Sequence, residues 1–538
     1  MTENATPDAS SAAPEAAPTP EAADPNAHLT ASALKRGREV EITLTDFADR
    51  GKSLARVGAG VASGERGGYV VFVAGAVPGD RVRARVFKRK RSFAEARIQE
   101  VLEPSPLRVE PRCEYFDSCG GCKWQHVGYE AQLEMKREMV EGALRHEGGI
   151  DLAQHGAGGA APPEASGEGG ETARGVEVHP TLGAEGEPYF YRNKMEFSFS
   201  AQRWLTDWEI ASGERLDKDF ALGLHVPGRF DKVLDLKACY LQSEWSARLV
   251  NGVRAFAKEQ GWRPWNVHEH TGFLRHLVVR TPEHTDEKMV NLVTSGHKAD
   301  RMEAFAGWLR EAFPEVTTLV NTINSGKAQT AFGEEEIVVF GPGVVHDRIG
   351  EHTFEIAASA FFQTNTRGAE TLYRVAAEMA HLQPSDLVYD LYCGAGTISL
   401  YVADRVERVV GVELVEAAVE NARANAERAG VTNCTFASGD MLALFTPEFV
   451  ERHGRPDVLI VDPPRAGMHP KVTEQIAALR PGRIVYVSCN PRTQAKDLGR
   501  LLESTDGGYR IEAVQPVDMF PHTHHVENVI GLRRVDAP

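Results

Sequence analysis

From Phe354 onward, apolar runs alternate with amphipathic ones: LVYDLYCGAGTISLYVA, VVGVELVEAAVENARANAERAG, VLIVDPP, HPKVTEQIAAL and RIVYVSC. Short apolar runs without polar alternation suit strands buried on both faces. A strand–helix–strand succession then pairs those strands in parallel, because each return needs a crossover. The rhythm predicts a doubly wound α/β domain over residues 356–538. Ligands of such sheets bind in the crevice outside the carboxyl ends of the strands.

A chain of 538 residues exceeds one ordinary core, and domains of roughly 100–200 residues suggest about three folded units plus tails. Residues 1–35, rich in Ala, Pro and acids, bury too little to offset ordering and read as a disordered tail. Residues 36–103 carry short alternating runs (EVEITLTDF, GYVVFVAGAV, DRVRARVFKRK, EARIQEVL) broken by Gly and Pro-Gly turns, the pattern of about five strands of a small OB-like β-barrel. Residues 104–355 mix strand-like and helical runs, an α+β region interrupted by the low-complexity loop 153–175. No run approaches the ~20 apolar residues of a membrane helix, and residues 1–34 lack the Lys and Arg of a targeting peptide, so a cytoplasmic chain is expected. Nothing in the sequence suggests a protein partner, and a monomer is the expectation.

The net charge of −16 argues against a nucleic-acid partner only until its distribution is considered. Between Arg81 and Arg97 stand eight basic residues and one acid, Glu95, which makes a basic patch on an acidic protein. Arg81, Arg83 and Arg85 alternate and should share one strand face, with Phe87 and Phe93 near enough to stack on bases. The seven cysteines are odd in number and unevenly spread, which fits metal or thiolate chemistry better than disulfides. Cys113, Cys119 and Cys122 are spaced C-x5-C-x2-C, and zinc and iron–sulfur both accept such thiolates.

In DLYCGAGT the first strand ends at Asp390 and passes through Gly394 and Gly396 into a helix, leaving bare backbone for a ligand. The second strand ends at Glu413, about 20 residues on, where a carboxylate can take both ribose hydroxyls. Nicotinamide enzymes share that spacing. Asp440 follows the third strand and Asp462 the fourth; any one of these acids could be a helix cap, but their recurrence at successive strand ends points to a site. Pro463 and Pro464 after Asp462 fix a rigid extended wall suited to a flat base. Cys489, in YVSCNP, stands at the mouth of the sheet, and Glu527 in HTHHVEN opens the closing strand, with His524 and His525 as rival bases.

Taken together, SCNP, DPPR, DLYCGAGT and HVEN resemble the RNA 5-methyluridine methyltransferase family, in its branch with an N-terminal TRAM barrel and an iron–sulfur cluster. The resemblance covers about residues 38–535, apart from the 153–175 loop. It implies S-adenosylmethionine as cofactor, Cys489 as nucleophile and Glu527 as base. Gln363 in AFFQTN, Tyr392, Thr397, Glu413, Asp440 and Asp462 then fall where the family contacts S-adenosylmethionine. It also makes Cys239 the fourth ligand of a 4Fe–4S cluster with Cys113, Cys119 and Cys122. Structured RNA is the implied partner, 23S ribosomal RNA first and transfer RNA as the alternative. A cytosine-5 methyltransferase and a non-catalytic RNA-binding protein are competing readings, and neither accounts for the whole motif set.

Overall fold

The computed structural model describes residues 24–48, 51–58, 68–155 and 175–535, so residues 1–23 of the expected tail and 156–174 of the expected loop lie outside the described residues. The chain divides into two compact units, Met1–Arg108 and Val109–Pro538.

In the first unit six strands form one sheet: Glu39–Thr43, Asp46–Ala48, Lys52–Val57, Tyr69–Ala74, Arg81–Arg89 and Phe93–Glu103, paired in the order first, fifth, sixth, fourth, third, second. The short strand Asp46–Ala48 is one more than the sequence suggested. The period-2 pattern sends Val82, Ala84 and Val86 into a core with Ile42, Val57 and Val71.

Two expectations need correction here. The disordered stretch does not reach residue 35: Leu29 and Leu34 are buried in the barrel core, and Asn26 makes two hydrogen bonds, both 2.9 Å, with the backbone of Thr43. Nor is the Arg81–Arg83–Arg85 face uniformly basic. Arg81 pairs with Glu103 at 2.6 Å and Glu41 at 3.2 Å, while Arg83 pairs with Glu100 at 2.5 Å and Glu41 at 3.3 Å. The positive end lies further along the strand, where Arg85 faces Arg97 and the Arg97 guanidinium sits 5.2 Å from the exposed Phe87 ring.

The second unit holds two large sheets. One has the strand order Glu335–Phe340, Thr318–Ile323, Met289–Thr294, Leu274–Arg280, Lys194–Ser200, Ala221–Gly223. Helices Glu244–Glu259 and Ala299–Ala312 bury Leu249, Val253, Phe305 and Leu309 in its core.

The other is the sheet expected from the C-terminal rhythm. Its strands, first to seventh, are Leu387–Leu391, Arg408–Glu413, Cys434–Ser438, Val458–Val461, Arg483–Ser488, Tyr509–Val517 and Glu527–Arg534. They lie in the order third, second, first, fourth, fifth, seventh, sixth, all parallel except the antiparallel seventh. Side chains alternate between two layers: Val388, Val409, Ile460 and Val485 share one core with helices Thr366–Ala380 and Glu416–Arg428, while Tyr389, Val410, Leu459 and Ile484 share the other with Phe445, Phe449 and helices Pro470–Leu479 and Pro491–Ser504. That second layer also takes Val140 and Leu144 of helix Tyr129–Glu147, so the boundary read from sequence at residue 355 is not a packing boundary. Residues beyond the loop join the sheet edge through the bridges Val178–Val514 and Leu182–Val517.

Candidate active site

The strand order reverses between the first strand, beside the second, and the fourth, and this opens a crevice at their carboxyl ends. Gly394 (φ +54°) and Gly396 (φ +78°) carry the chain around its rim. A Cβ on Gly396 would stand 3.0 Å from the Phe436 ring, whereas one on Gly394 would meet nothing within 4 Å. Tyr392, between them and the strand, holds φ +64°, a conformation that a bulky residue keeps only when its surroundings enforce it. Here the Tyr392 N–H donates to the Val412 carbonyl at 2.8 Å.

Each sequence-predicted cofactor residue lies on this rim or beside it. Glu413 ends the second strand, its carboxylate accepting from Gly394 N at 3.2 Å and Val415 N at 2.9 Å, and both oxygens keep a further lone pair. Asp440 caps helix Met441–Leu444 through Leu442 N at 3.0 Å, so the capping role that sequence could not separate from a ligand role is present. Thr397 opens helix Thr397–Val402, and its hydroxyl lies 2.9 Å from that of the buried Tyr373. Gln363 also hydrogen-bonds Tyr373, while its own carbonyl accepts from Asn193 Nδ2 at 2.7 Å. Asp390 is fully buried, accepts from Ser399 Oγ at 2.6 Å, and is pushed up to about 7 by burial. Asp462 is likewise pushed up to about 7, by burial and then by Asp390.

Cys489 follows the fifth strand and Glu527 opens the seventh. Ser488 pairs with Asn528, so one further step in that antiparallel register sets Cys489 opposite Glu527. Asn490 turns the chain into helix Pro491–Ser504, its side chain accepting from Arg492 N at 3.3 Å and donating to the Arg465 carbonyl at 3.0 Å. Burial raises the Cys489 thiol, and Glu527 raises it further; a hydrogen bond from the Arg465 guanidinium opposes both. Glu527 is pushed up to about 8, chiefly by burial and then by Asp462.

Arg465, which no sequence signal marks apart from the DPPR motif that contains it, is a cation at this site. It also donates to His525 Nδ1 at 2.6 Å, which commits the lone pair on that nitrogen. Burial and the neighbouring His524 hold His525 down at about 3. His525 is thus a neutral partner of Arg465, which weakens its claim as a rival base.

Cys113, Cys119, Cys122 and Cys239 line one cavity with Tyr115, Phe116, Leu224, Leu236 and Leu241, and none is in a disulfide. Burial raises all four thiols, Cys113 to about 11 and Cys122 to about 12. Each sulfur has a donor: the backbone N–H of Tyr115, of Gly121 (3.4 Å to Cys119 Sγ) and of Leu241, and the side chain of Gln125. Among the described residues no three His, Cys, Asp or Glu side chains are arranged to hold a single metal ion.

The sheet order, the glycine rim and the acids at successive strand ends make a nucleoside-cofactor site, and with the likeness to known proteins they give the class: an S-adenosylmethionine-dependent methyltransferase. A family model described as tRNA (uracil-5-)-methyltransferase matches residues 289–535, and a TRAM-domain model matches residues 33–98. An RNA methyltransferase of Chlorobaculum tepidum, itself named as uncharacterized, is 43% identical over 506 residues, covering 93% of this chain and 98% of that one. A similarly named protein of Porphyromonas gingivalis is 41% identical, covering 91% and 99%. The solved Pyrococcus abyssi tRNA (uracil-54, C5)-methyltransferase, in complex with S-adenosyl-L-homocysteine, is 26% identical, with a TM-score of 0.66 over 92% of this chain and 100% of that one. The chain belongs to the RNA uracil-5-methyltransferase family, and it carries a TRAM domain. Among the described residues no helix is long and apolar enough to cross a membrane.

Proposed function

We propose that this enzyme methylates carbon 5 of a uridine in 23S ribosomal RNA through a covalent bond between Cys489 and carbon 6 of the base. The reading rests on one observation above the others: Cys489 and Glu527 stand at facing ends of neighbouring strands, with the Arg465 guanidinium beside them acting to lower the thiol. S-adenosylmethionine supplies an electrophilic methyl group when bound, and Gln363, Tyr392, Thr397, Glu413, Asp440 and Asp462 are the residues that would hold it. Uracil carbon 5 is too weak a nucleophile to take that methyl unaided. The Cys489 thiolate, favoured by Arg465, adds to carbon 6 and drives the ring π electrons toward carbon 5 and the carbonyl beyond it. Once carbon 5 has gained the methyl, Glu527 accepts the carbon 5 proton. The carbon 5–carbon 6 double bond re-forms, and Cys489 leaves with the pair of the S–C bond. A carboxylate held near neutrality by burial suits this role, since it retains a proton drawn from carbon. The uridine must leave its stack to reach a crevice of this kind, which favours loop RNA.

Cys113, Cys119, Cys122 and Cys239 would hold a 4Fe–4S cluster. Four sulfurs around one cavity, each with a hydrogen-bond donor, support this reading, because such donors stabilise thiolates bound to a cluster. The cluster's contribution would be to cross-link the Cys113–Cys122 segment to Cys239, since the methyl transfer itself needs no redox step.

Transfer RNA is the second reading, favoured by the full-length likeness to the Pyrococcus abyssi enzyme. Mapping 5-methyluridine in both RNAs from a deletion strain separates the two. Loss of a site in 23S RNA alone supports the first, loss in transfer RNA alone the second, and loss in neither overturns both.

A further inference from the structure

The segment Asp518–Val526 joins the sixth strand to the seventh and delivers Glu527 to Cys489. Pairing to the fifth strand holds the seventh from Asn528 onward, whereas Glu527, its first residue, pairs only with Val517 of the sixth. Val517 and Glu527, the ladder partners at the strap's two ends, thus both depend on how the strap between them is held. The holders come from a region far away in sequence. Asp518 is fully buried; its Oδ1 accepts from Lys136 Nζ at 2.5 Å and from Phe520 N at 3.0 Å, and its Oδ2 accepts from the Tyr129 hydroxyl at 3.0 Å. Lys136 is equally buried and also donates to the Phe520 carbonyl at 3.3 Å. Further on, the His522 carbonyl accepts from Lys123 N at 2.9 Å and Trp124 N at 3.0 Å, the two residues that follow Cys122. His522 N donates to Gln132 Oε1 at 2.9 Å, and its ring stacks on Tyr189 at 4.1 Å.

A buried ion pair loses hydration on both members and adds little net stability, and its best-attested use is to select one geometry among several. Here every oxygen of Asp518 is satisfied, and the strap between its two ends carries the Arg465–His525 contact. We propose that Lys136 and Tyr129 act through Asp518 as positioning residues for the proton-removal step. They hold the strap so that Glu527 faces carbon 5 of the base bonded to Cys489. The inference rests on the reading of Glu527 as the base. It extends that reading by making helix Tyr129–Glu147 and the segment after Cys122 part of the machinery that resolves the covalent intermediate.

The test compares full-length wild type, Glu527→Gln, Tyr129→Phe and the double variant Lys136→Met/Asp518→Asn, which removes both charges together. Each is given total RNA from the deletion strain and labelled S-adenosylmethionine. Two quantities are read: turnover, and the fraction of enzyme in a denaturant-stable RNA adduct. Misplacement of a reacting group by about 1 Å can cost on the order of 100-fold. The double variant should therefore lose about 10- to 100-fold in kcat and accumulate adduct several-fold above wild type, with its affinity for S-adenosylmethionine unchanged. Tyr129→Phe should move the same way by less, and it serves alone if the double variant does not fold. A loss of turnover that only tracks the folded fraction, with no excess adduct, overturns the positioning role while Glu527→Gln still traps adduct. Failure of Glu527→Gln itself to trap adduct removes the base assignment and this inference with it.

Discussion

The chain has two thiol sites that share burial and differ in what stands beside the sulfur. At Cys113, Cys119, Cys122 and Cys239 the neighbours are N–H donors, apolar walls and the other thiols, with Lys123 and Arg192 acting on Cys119 and Cys239 only through charge and without a hydrogen bond to the sulfur. At Cys489 the neighbours are a guanidinium and a carboxylate. Burial raises all five thiols, so burial alone does not separate a ligand from a nucleophile. The compensating partner does. A thiolate formed once in each turnover is served by a cation that stays in place, and Arg465 is such a cation. Four thiolates held permanently together carry more negative charge than the two nearby cations, Lys123 and Arg192, offset, and a bound metal group would supply the remainder.

The contrast breaks first at Cys489. Replacing it with alanine should lower methyl transfer on the order of 10⁴-fold or more. Calorimetric binding of S-adenosylmethionine should stay within about twofold, because only groups acting in the transition state have been lost. Glu527→Gln should cost about 10²–10⁴-fold and leave enzyme bound to RNA through denaturing electrophoresis. The wild-type pH dependence sharpens the same point. With the Glu527 carboxyl pushed up to about 8, the group is mostly protonated at neutral pH and must ionise to act, so kcat/KM should rise through pH 8 and go on rising, less steeply, as the Cys489 thiol, which burial holds above its ordinary value, ionises in turn. Arg465→Gln removes the cation that lowers the Cys489 thiol, and activity near pH 7 should fall about tenfold for each unit the thiol rises, with partial recovery in alkali. Cys119→Ser should have the smallest effect on the chemistry of folded molecules. The anaerobically purified wild type should be brown and this variant colourless, with a lowered Tm. A colourless wild type with full zinc occupancy would remove the cluster from the comparison.

What could be read from sequence follows from how local each signal is. The C-terminal sheet was legible because its strands are buried on both faces and spell apolar runs such as LVYDL and RIVYVS. The places of Cys489 and Glu527 at the ends of strands were legible because strand ends can be counted, whereas their proposed roles came from the family resemblance. Arg465 was overlooked because an exposed arginine after two prolines looks like any surface cation, and its partners Cys489 and His525 arrive from other strands. Leu29 and Leu34 were lost among alanines and prolines, although the barrel core closes over both. The face of Arg81 and Arg83 read as basic because Glu41, Glu100 and Glu103 meet it only across neighbouring strands. The Lys136–Asp518 pair spans 382 positions, and no periodicity within either segment announces it.

The measurement that bears most directly on this account uses target RNA with 5-fluorouridine at the modified position. A carbon–fluorine bond offers Glu527 no proton to remove, so the reaction should halt with the base still attached to the enzyme. The expected result is a denaturant-stable, methylated adduct whose digestion leaves the nucleotide on the peptide containing Cys489. Free protein after exposure to the correct RNA, or attachment through any other side chain, would contradict it.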